Sequence, residues 1–372
     1  MFKRIRQQLR RGVFFDHLYW RASGRMPMVE RARWFGVRTP EQGARVLAKL
    51  GQRLSHDHGA PMLLVGDGGP LHRGTAQGLR RRGVKFSETG PADLAAPPAG
   101  RVAGVLCAMT QMRDITAVAT AALRQPALAD KPFEYVYGLD TAEAQFRRWD
   151  EYRDTFFASP LLLARVPVYE IYAESLRRFE QKCGLRDWLD LAQEILRLVD
   201  AGVPGDLAEF GSFRGHSGWL TASLLKALGS DKKLYMFDTF ERFPVEDVGV
   251  DYFWSSTHDV NFEAVKAKFA ELPNVRFVKG DFTRTLDGSG ADRLALAYVD
   301  CDSYRATKYL VDAIFERRLS TGGALIVEDY GHPALLGSRL AVHETLAQRP
   351  GALCHYSQFS GLYFARKIPA GS

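Results

Sequence analysis

Two aspartates one residue apart, Asp300 and Asp302, close the apolar run LALAYV in the stretch LALAYVDCDSYRAT (294–307). A second acidic pair, Glu328 and Asp329, closes the apolar run of GGALIVEDY (322–330). Read as neighbouring strands of a sheet, the two runs end about 5 Å apart, so carboxylates from both can meet around one ion. Carboxylates with no His or Cys beside them form a hard oxygen site, suited to Mg2+ or Ca2+ rather than zinc. Without an ion they repel and raise one another's pKa. The competing structural reading is that these acids cap the helices that follow the strands.

Further acids close the earlier apolar runs. Glu209 ends DLAEF, and the glycines of EFGSFRGHSG, Gly211 and Gly215, let the backbone turn sharply beside a ligand, with Ser217 placed to cap the next helix. Such a turn into a helix N-terminus can approach a dinucleotide phosphate or an amino-acid carboxylate. Asp238 ends KLYMFD, where an acid suits a ribose diol. Asp281 and Phe282 follow VRFVKG, an acid and an aromatic able to grip an adenine. Glycine turn, ribose acid and adenine acid in that order point to adenosine with a short charged tail, S-adenosylmethionine rather than NAD. No Walker lysine motif supports ATP.

The elements that must position these residues alternate regularly from residue 206: strands at 206–211, 233–238, 275–281, 293–300 and 322–330, with helices of 10–16 residues between, then SRLAVHETLAQ and LYFARK as a last helix and strand. That alternation predicts an α/β fold, a doubly wound, mainly parallel Rossmann-like sheet over 206–368, whose ligands bind at the carboxyl ends of the strands. A smaller Rossmann-like α/β domain is expected over 59–140, from APMLLVGDGGPLHRGTAQGLRRRGVKFSE, RVAGVLCAMT and DITAVATAALRQ. Its turn Gly66-Asp67-Gly68-Gly69 departs from G-x-G-x-x-G, so a bound nucleotide does not follow from it. Residues 141–205 read as a helical connector, with Gly184 and Gly202 at C-terminal cap positions.

Residues 1–58 form a basic, helical N-terminal arm. Residues 1–38 hold ten Lys/Arg against Asp16 and Glu30, with Phe2, Ile5, Leu9, Val13 and Phe14 at helical spacing, a pattern that fits a solvated helix packed on its own domain and is also open to peripheral membrane or acidic-polymer contact. The chain of 372 residues is 46% hydrophobic with a net charge of +7, an ordinary globular composition. No nucleic-acid module accompanies the charge. Four scattered cysteines, no signal-peptide pattern and no membrane-length apolar run fit a reduced, cytoplasmic protein.

Taken together, EFGSFRGHS, FDTFERFP, GDFTRTL, YVDCDSYRATKYLVDAI and LIVEDYGHPALLGSRLAV resemble the macrocin O-methyltransferase family, metal-dependent enzymes that methylate sugar hydroxyls with S-adenosylmethionine. The resemblance spans about residues 165–365 and leaves 1–150 as an extra domain. It implies that Glu209, Gly211, Gly215 and Ser217 line the methionine end of the cofactor, that Asp238 holds the ribose, and that Asp281 and Phe282 hold the adenine. Asp300, Glu328 and Asp329 match the Mg2+-binding positions, with Asp302 nearby as a ligand, a cofactor contact or a base. Cys301 stands where the family often has Gly, and Glu328 where it often has Asp; Cys301 reads as a small buried hydrophobe.

The implied reaction is in-line attack of a substrate oxygen on a sulfonium methyl, with Asp302 and His332 as candidate bases. The acceptor is sugar-containing: a polysaccharide, a glycolipid or a glycosylated natural product. Self-association is compatible with this reading. Tyr252, Phe253 and Trp254, after the strand of Asp238, could form a lid or stack on a sugar. A D-x-D glycosyltransferase explains Asp300 and Asp302 but not the other acids. A D-x-D phosphatase would carry the motif on its first strand. A cephalosporin hydroxylase-like enzyme shares the acids and pocket, and a binding protein with a vestigial pocket would not need to retain an acid at every strand end.

Overall fold

The computed structural model describes residues 27–95, 100–139, 166–244, 249–254 and 259–369. The first 26 residues of the basic arm and residues 140–165, which include the start of the connector, lie outside them. The chain forms two compact units, the first ending at Ala158 and including Asp247–Tyr252, the second taking the rest.

In the first unit, α1 (Met28–Phe35) and α2 (Pro40–His58) precede β1 (Met62–Gly66), α3 (Pro70–Arg81), β2 (Phe86–Thr89), β3 (Gly104–Ala108), α4 (Met112–Arg124) and β4 (Phe133–Tyr135). The strands form a parallel sheet in the order β2-β1-β3-β4. Helix α2 starts at Thr39, whose hydroxyl accepts the Gln42 amide, and ends at left-handed Gly59. The sequence reading leaves α2 in the arm, yet it buries Ala44, Leu47, Ala48, Leu50 and Leu54 in this unit's core. An apolar stripe that wide needs a sheet to cover it.

The second unit begins with α5 (Val168–Arg178) and α6 (Leu185–Asp200). It continues through β5 (Asp206–Phe210), α7 (His216–Ala227), β6 (Leu234–Asp238), α8 (Phe262–Ala267), β7 (Val275–Lys279) and the single turn α9 (Phe282–Thr285). β8 (Leu294–Val299), α10 (Tyr304–Ile314), β9 (Leu319–Val327), α11 (Leu336–Thr345), β10 (Ala352–Tyr356) and β11 (Tyr363–Lys367) complete it. The sheet order is β10-β11-β9-β8-β5-β6-β7. β5 to β9 run parallel, while β11 is antiparallel to β9 and β10 to β11. The fold is therefore the expected mainly parallel, doubly wound sheet.

Both faces are covered, as parallel sheets require. Leu207, Leu234, Met236 and Tyr298 enter the core with α5, α6 and α7, while Ala208, Phe210, Phe237 and Val299 enter the core with α10. Two local readings change. Gly184 is the N-cap of α6, not a C-cap, because Asp187 turns back to accept its amide at 3.0 Å. Strand β10 carries no alternating apolar signal, since as an edge strand it buries little of itself.

Candidate functional site

The order of the sheet reverses between β5 and β8, and a doubly wound sheet opens its ligand crevice at that switch. Glu209 pairs in register with Met236 on β6 and Tyr298 on β8, and Tyr298 pairs with Ile326 on β9. Side chains alternate with period two. Glu209, Asp238, Asp300 and Glu328 therefore all fall on the sheet face covered by α5, α6 and α7, at its carboxyl edge.

The backbone at the switch is drawn tight. The Asp300 amide donates to the Phe210 carbonyl at 2.9 Å, and the Glu328 amide to Val299 at 3.0 Å. Gly211 has φ +90°, and a Cβ there would be driven into the Asp300 carbonyl oxygen. Only glycine lets the two turns approach this closely. The Gly211 amide donates to Phe237, and the Phe213 amide to Asp238 Oδ2 at 2.8 Å. Asp238 Oδ1 also accepts the Phe240 amide at 2.6 Å. Asp238 thus knits the turns after β5 and β6, and both phenylalanines adopt positive φ, +45° and +49°, uncommon for side chains this bulky.

Glu209 is 1% exposed. Burial pushes its carboxyl up to about 7, with the Ser217 and Ser212 hydroxyls acting in the opposite direction. Ser217 differs from the expectation that it caps α7. It lies inside the helix, its hydroxyl donates to Glu209 Oε1 at 3.0 Å, and Gly215 takes the N-cap in left-handed conformation. Asp281 is exposed and caps α9, accepting from the Thr283 amide and hydroxyl at 2.9 and 2.7 Å. The Phe282 ring meets Phe210 edge-on at 5.9 Å and stacks with Tyr309 at 6.2 Å.

Asp300, Glu328 and Asp329 each offer an oxygen, and all three lie within 4.8 Å of one another. Burial first, then the neighbouring carboxylates, raise Asp300 and Glu328 well above the usual range. Asp302 is raised in the same way. Capping does not account for the acids after β8. Ser303 caps α10, accepting from Ala306 at 3.4 Å, and among the described residues nothing hydrogen-bonds the Asp300 carboxylate. Asp302 sits at φ +57°, held by its amide donating to Asp329 Oδ2 at 2.9 Å. Cys301 is buried against the Phe210 carbonyl. His332 follows the turn Asp329–Gly331, and its Nδ1 accepts the Ala334 amide at 3.2 Å. That contact leaves the proton on Nε2, and burial lowers the imidazole to about 4.

Two residues escaped the sequence reading. Asp187 acts on Asp300 and Glu328 as a further negative charge and is itself raised to about 6, chiefly by burial. Its only sequence signal is the Gly184–Asp187 capping spacing. His216, inside the G-H-S of the glycine turn, accepts the Lys182 and Cys183 amides on Nδ1, both at 3.0 Å, and its Nε2 donates to Ser175 at 2.8 Å. It pins the segment before α6 to the start of α7. Tyr252 belongs to the first unit, where its hydroxyl is 3.4 Å from His58.

This strand order, with a glycine turn after β5, defines a Rossmann-like α/β domain. Residues 183–349 match the model of the macrocin-O-methyltransferase (TylF) family. It is 34% identical over 176 residues to the 8-demethyl-8-(2,3-dimethoxy-alpha-L-rhamnosyl)-tetracenomycin-C 4'-O-methyltransferase of Streptomyces olivaceus, covering 43% of this chain and 65% of that one. It is 33% identical to the mycinamicin III 3''-O-methyltransferase of Micromonospora griseorubida, covering 38% and 61%. The chain thus spans just under two thirds of the length of these curated relatives. Among solved structures, the O-methyltransferase NovP is similar at 23% identity and a TM-score of 0.44, over 50% of this chain and 81% of that one.

Proposed function

We propose that the second unit is an S-adenosylmethionine-dependent O-methyltransferase acting on a hydroxyl of a sugar or glycosylated acceptor, with Mg2+ held by Asp300, Glu328 and Asp329. The observation that carries this reading is the trio of oxygens within 4.8 Å beside the glycine turn of β5. That spacing suits ligands of one ion, whose bonds to oxygen run about 2.0–2.6 Å, and no zinc-type ligand joins the set. The relatives named for methyl transfer to a rhamnosyl-tetracenomycin and to mycinamicin III support the class of acceptor.

In this reading Gly211 and Gly215 bring backbone close to the methionine end of the cofactor, and buried Glu209, fixed by Ser217, faces it. Asp238, already rigid through two amides, accepts from the ribose hydroxyls, and Asp281 and Phe282 flank the adenine. When bound, Mg2+ supplies Lewis acidity toward a substrate hydroxyl and a fixed orientation. As the methyl–sulfur bond breaks and the methyl–oxygen bond forms, the hydroxyl proton passes to Asp302. Its backbone is locked by Asp329, whereas His332 has its basic nitrogen already engaged by Ala334.

Calorimetry on the full chain tests the assignment. S-adenosylmethionine is expected to bind, and excess EDTA to abolish methyl transfer while sparing that binding. Failure to bind it, or binding of a UDP-sugar in its place, refutes the class; full turnover in EDTA refutes the metal.

A further inference from the structure

We propose that the outward face of α2 and α3 in the first unit docks onto an anionic lipid membrane. Eight of the 19 residues of α2 are buried, and on its solvent side Arg45, Lys49 and Arg53 follow at intervals of four residues. Helix α3 lies against it with Gly74 and Gly78 backed onto Ala44 and Ala48, where a Cβ would come within 2.9 and 2.7 Å of the alanine methyls. That close approach merges the two helices into one broad surface, and α3 adds exposed Arg73 and Arg81, with Arg82 just beyond its end. The Arg82 guanidinium donates to the Gly78 carbonyl at 3.0 Å, which places it over the seam.

The face is undercompensated. Glu41 stands at the start of α2 and Asp57 near its end, 3.7 Å from Arg53. Among the described residues Arg45, Lys49, Arg73, Arg81 and Arg82 form no ion pair. From Arg45 to Arg53 the cations of α2 run along about 12 Å of its axis.

Its chemistry suits a bilayer better than a nucleic acid. No aromatic side chain alternates with these cations on the two helices, so nothing is offered for base stacking. Tyr252, 37% exposed and edge-on to His58 at the C-terminal end of α2, has the amphipathic character favoured at a membrane interface. The sequence before the described residues carries the matching signal: residues 1–26 hold seven Lys/Arg and one acid, with apolar residues at helical spacing. Two weak signals on one chain are what stable peripheral binding requires.

Co-sedimentation of the full chain with vesicles tests the proposal, using phosphatidylcholine with about one third phosphatidylglycerol against phosphatidylcholine alone. Binding is expected only to the anionic vesicles and to fall as salt rises. Each basic residue near such a surface strengthens binding about fivefold, so the exposed triple variant R45Q/K49Q/R81Q should bind roughly a hundredfold more weakly. The charge-conserving R45K/R81K variant should bind like the parent. S-adenosylmethionine affinity and the thermal melt, unchanged in the variants, show that the fold is intact. Equal binding by the triple variant, no preference for anionic vesicles, or binding to RNA or heparin without binding to vesicles overturns the proposal. A melt lowered in the triple variant moves the test to K49Q/R81Q, with an expected loss of about twentyfold.

Discussion

Replacing Asp300 with asparagine separates a cation-binding carboxylate from a structural one, because the two roles predict opposite signs. The carboxylate accepts no hydrogen bond from the described residues, so the nearly isosteric amide breaks none. What it removes is a negative charge within 4.8 Å of Glu328 and Asp329. At an effective dielectric of 20, two full charges at that distance repel by about 3.5 kcal/mol. Burial and mutual repulsion raise both carboxyls above their usual range and disfavour two full charges, so only part of that is recovered. A gain of about 1–2 kcal/mol is expected, a rise in Tm of roughly 3–6 °C for a unit of this size. In Mg2+ the order inverts: the parent gains about 2.7 kcal/mol at a hundred times the dissociation constant, and Asp300→Asn gains almost nothing. Differential scanning calorimetry in EDTA and in Mg2+ reads both. An Asp300→Asn protein that melts lower than the parent in EDTA, or that Mg2+ stabilises as much as the parent, would sink the assignment.

Two other changes probe the neighbouring turn. Gly211→Ala forces a Cβ into the Asp300 carbonyl and a side chain into φ +90°, so a loss of at least about 3 kcal/mol and of S-adenosylmethionine binding is expected; a normal melt with normal binding would show that the turns can separate freely. Glu209, raised by burial from 4.5 to about 7, favours the folded state while protonated. Its contribution is complete below pH 4.5 and is lost as pH rises to about 7, about 3 kcal/mol across that window. Glu209→Gln keeps the Ser217 contact and should flatten the decline in urea titrations run at each pH; an unchanged slope would assign it to other groups.

Much of the candidate site is legible as a list in the sequence because strands buried on both faces leave a plain signal: apolar runs that stop at Glu209, Asp238, Asp300 and Glu328. Local chemistry was harder to read. Ser217 looks like a cap until the left-handed Gly215 is seen to occupy that position, and Gly184 looks like a helix end until Asp187 folds back onto it. Each is a choice between two hydrogen-bond partners of similar strength, decided by a dihedral angle. His216 left no pattern at all, since its partners Ser175, Lys182 and Cys183 lie more than 30 residues away.

By itself, then, the sequence determines the alternating α/β pattern, the resemblance of residues 183–349 to a family, and the kinds of side chain that close each strand. Only the tertiary structure decides which strand ends meet. Residues 210 and 300 are far apart along the chain, yet β5 and β8 pair at the switch of the sheet, and that pairing sets Gly211 against Asp300. β9 then lies beside β8 and brings Glu328 and Asp329 to within 4.8 Å of it. The physical reason is that periodicity records whether a residue is buried, a local property. The company it keeps depends on the crossovers, which bury both faces of the sheet at once.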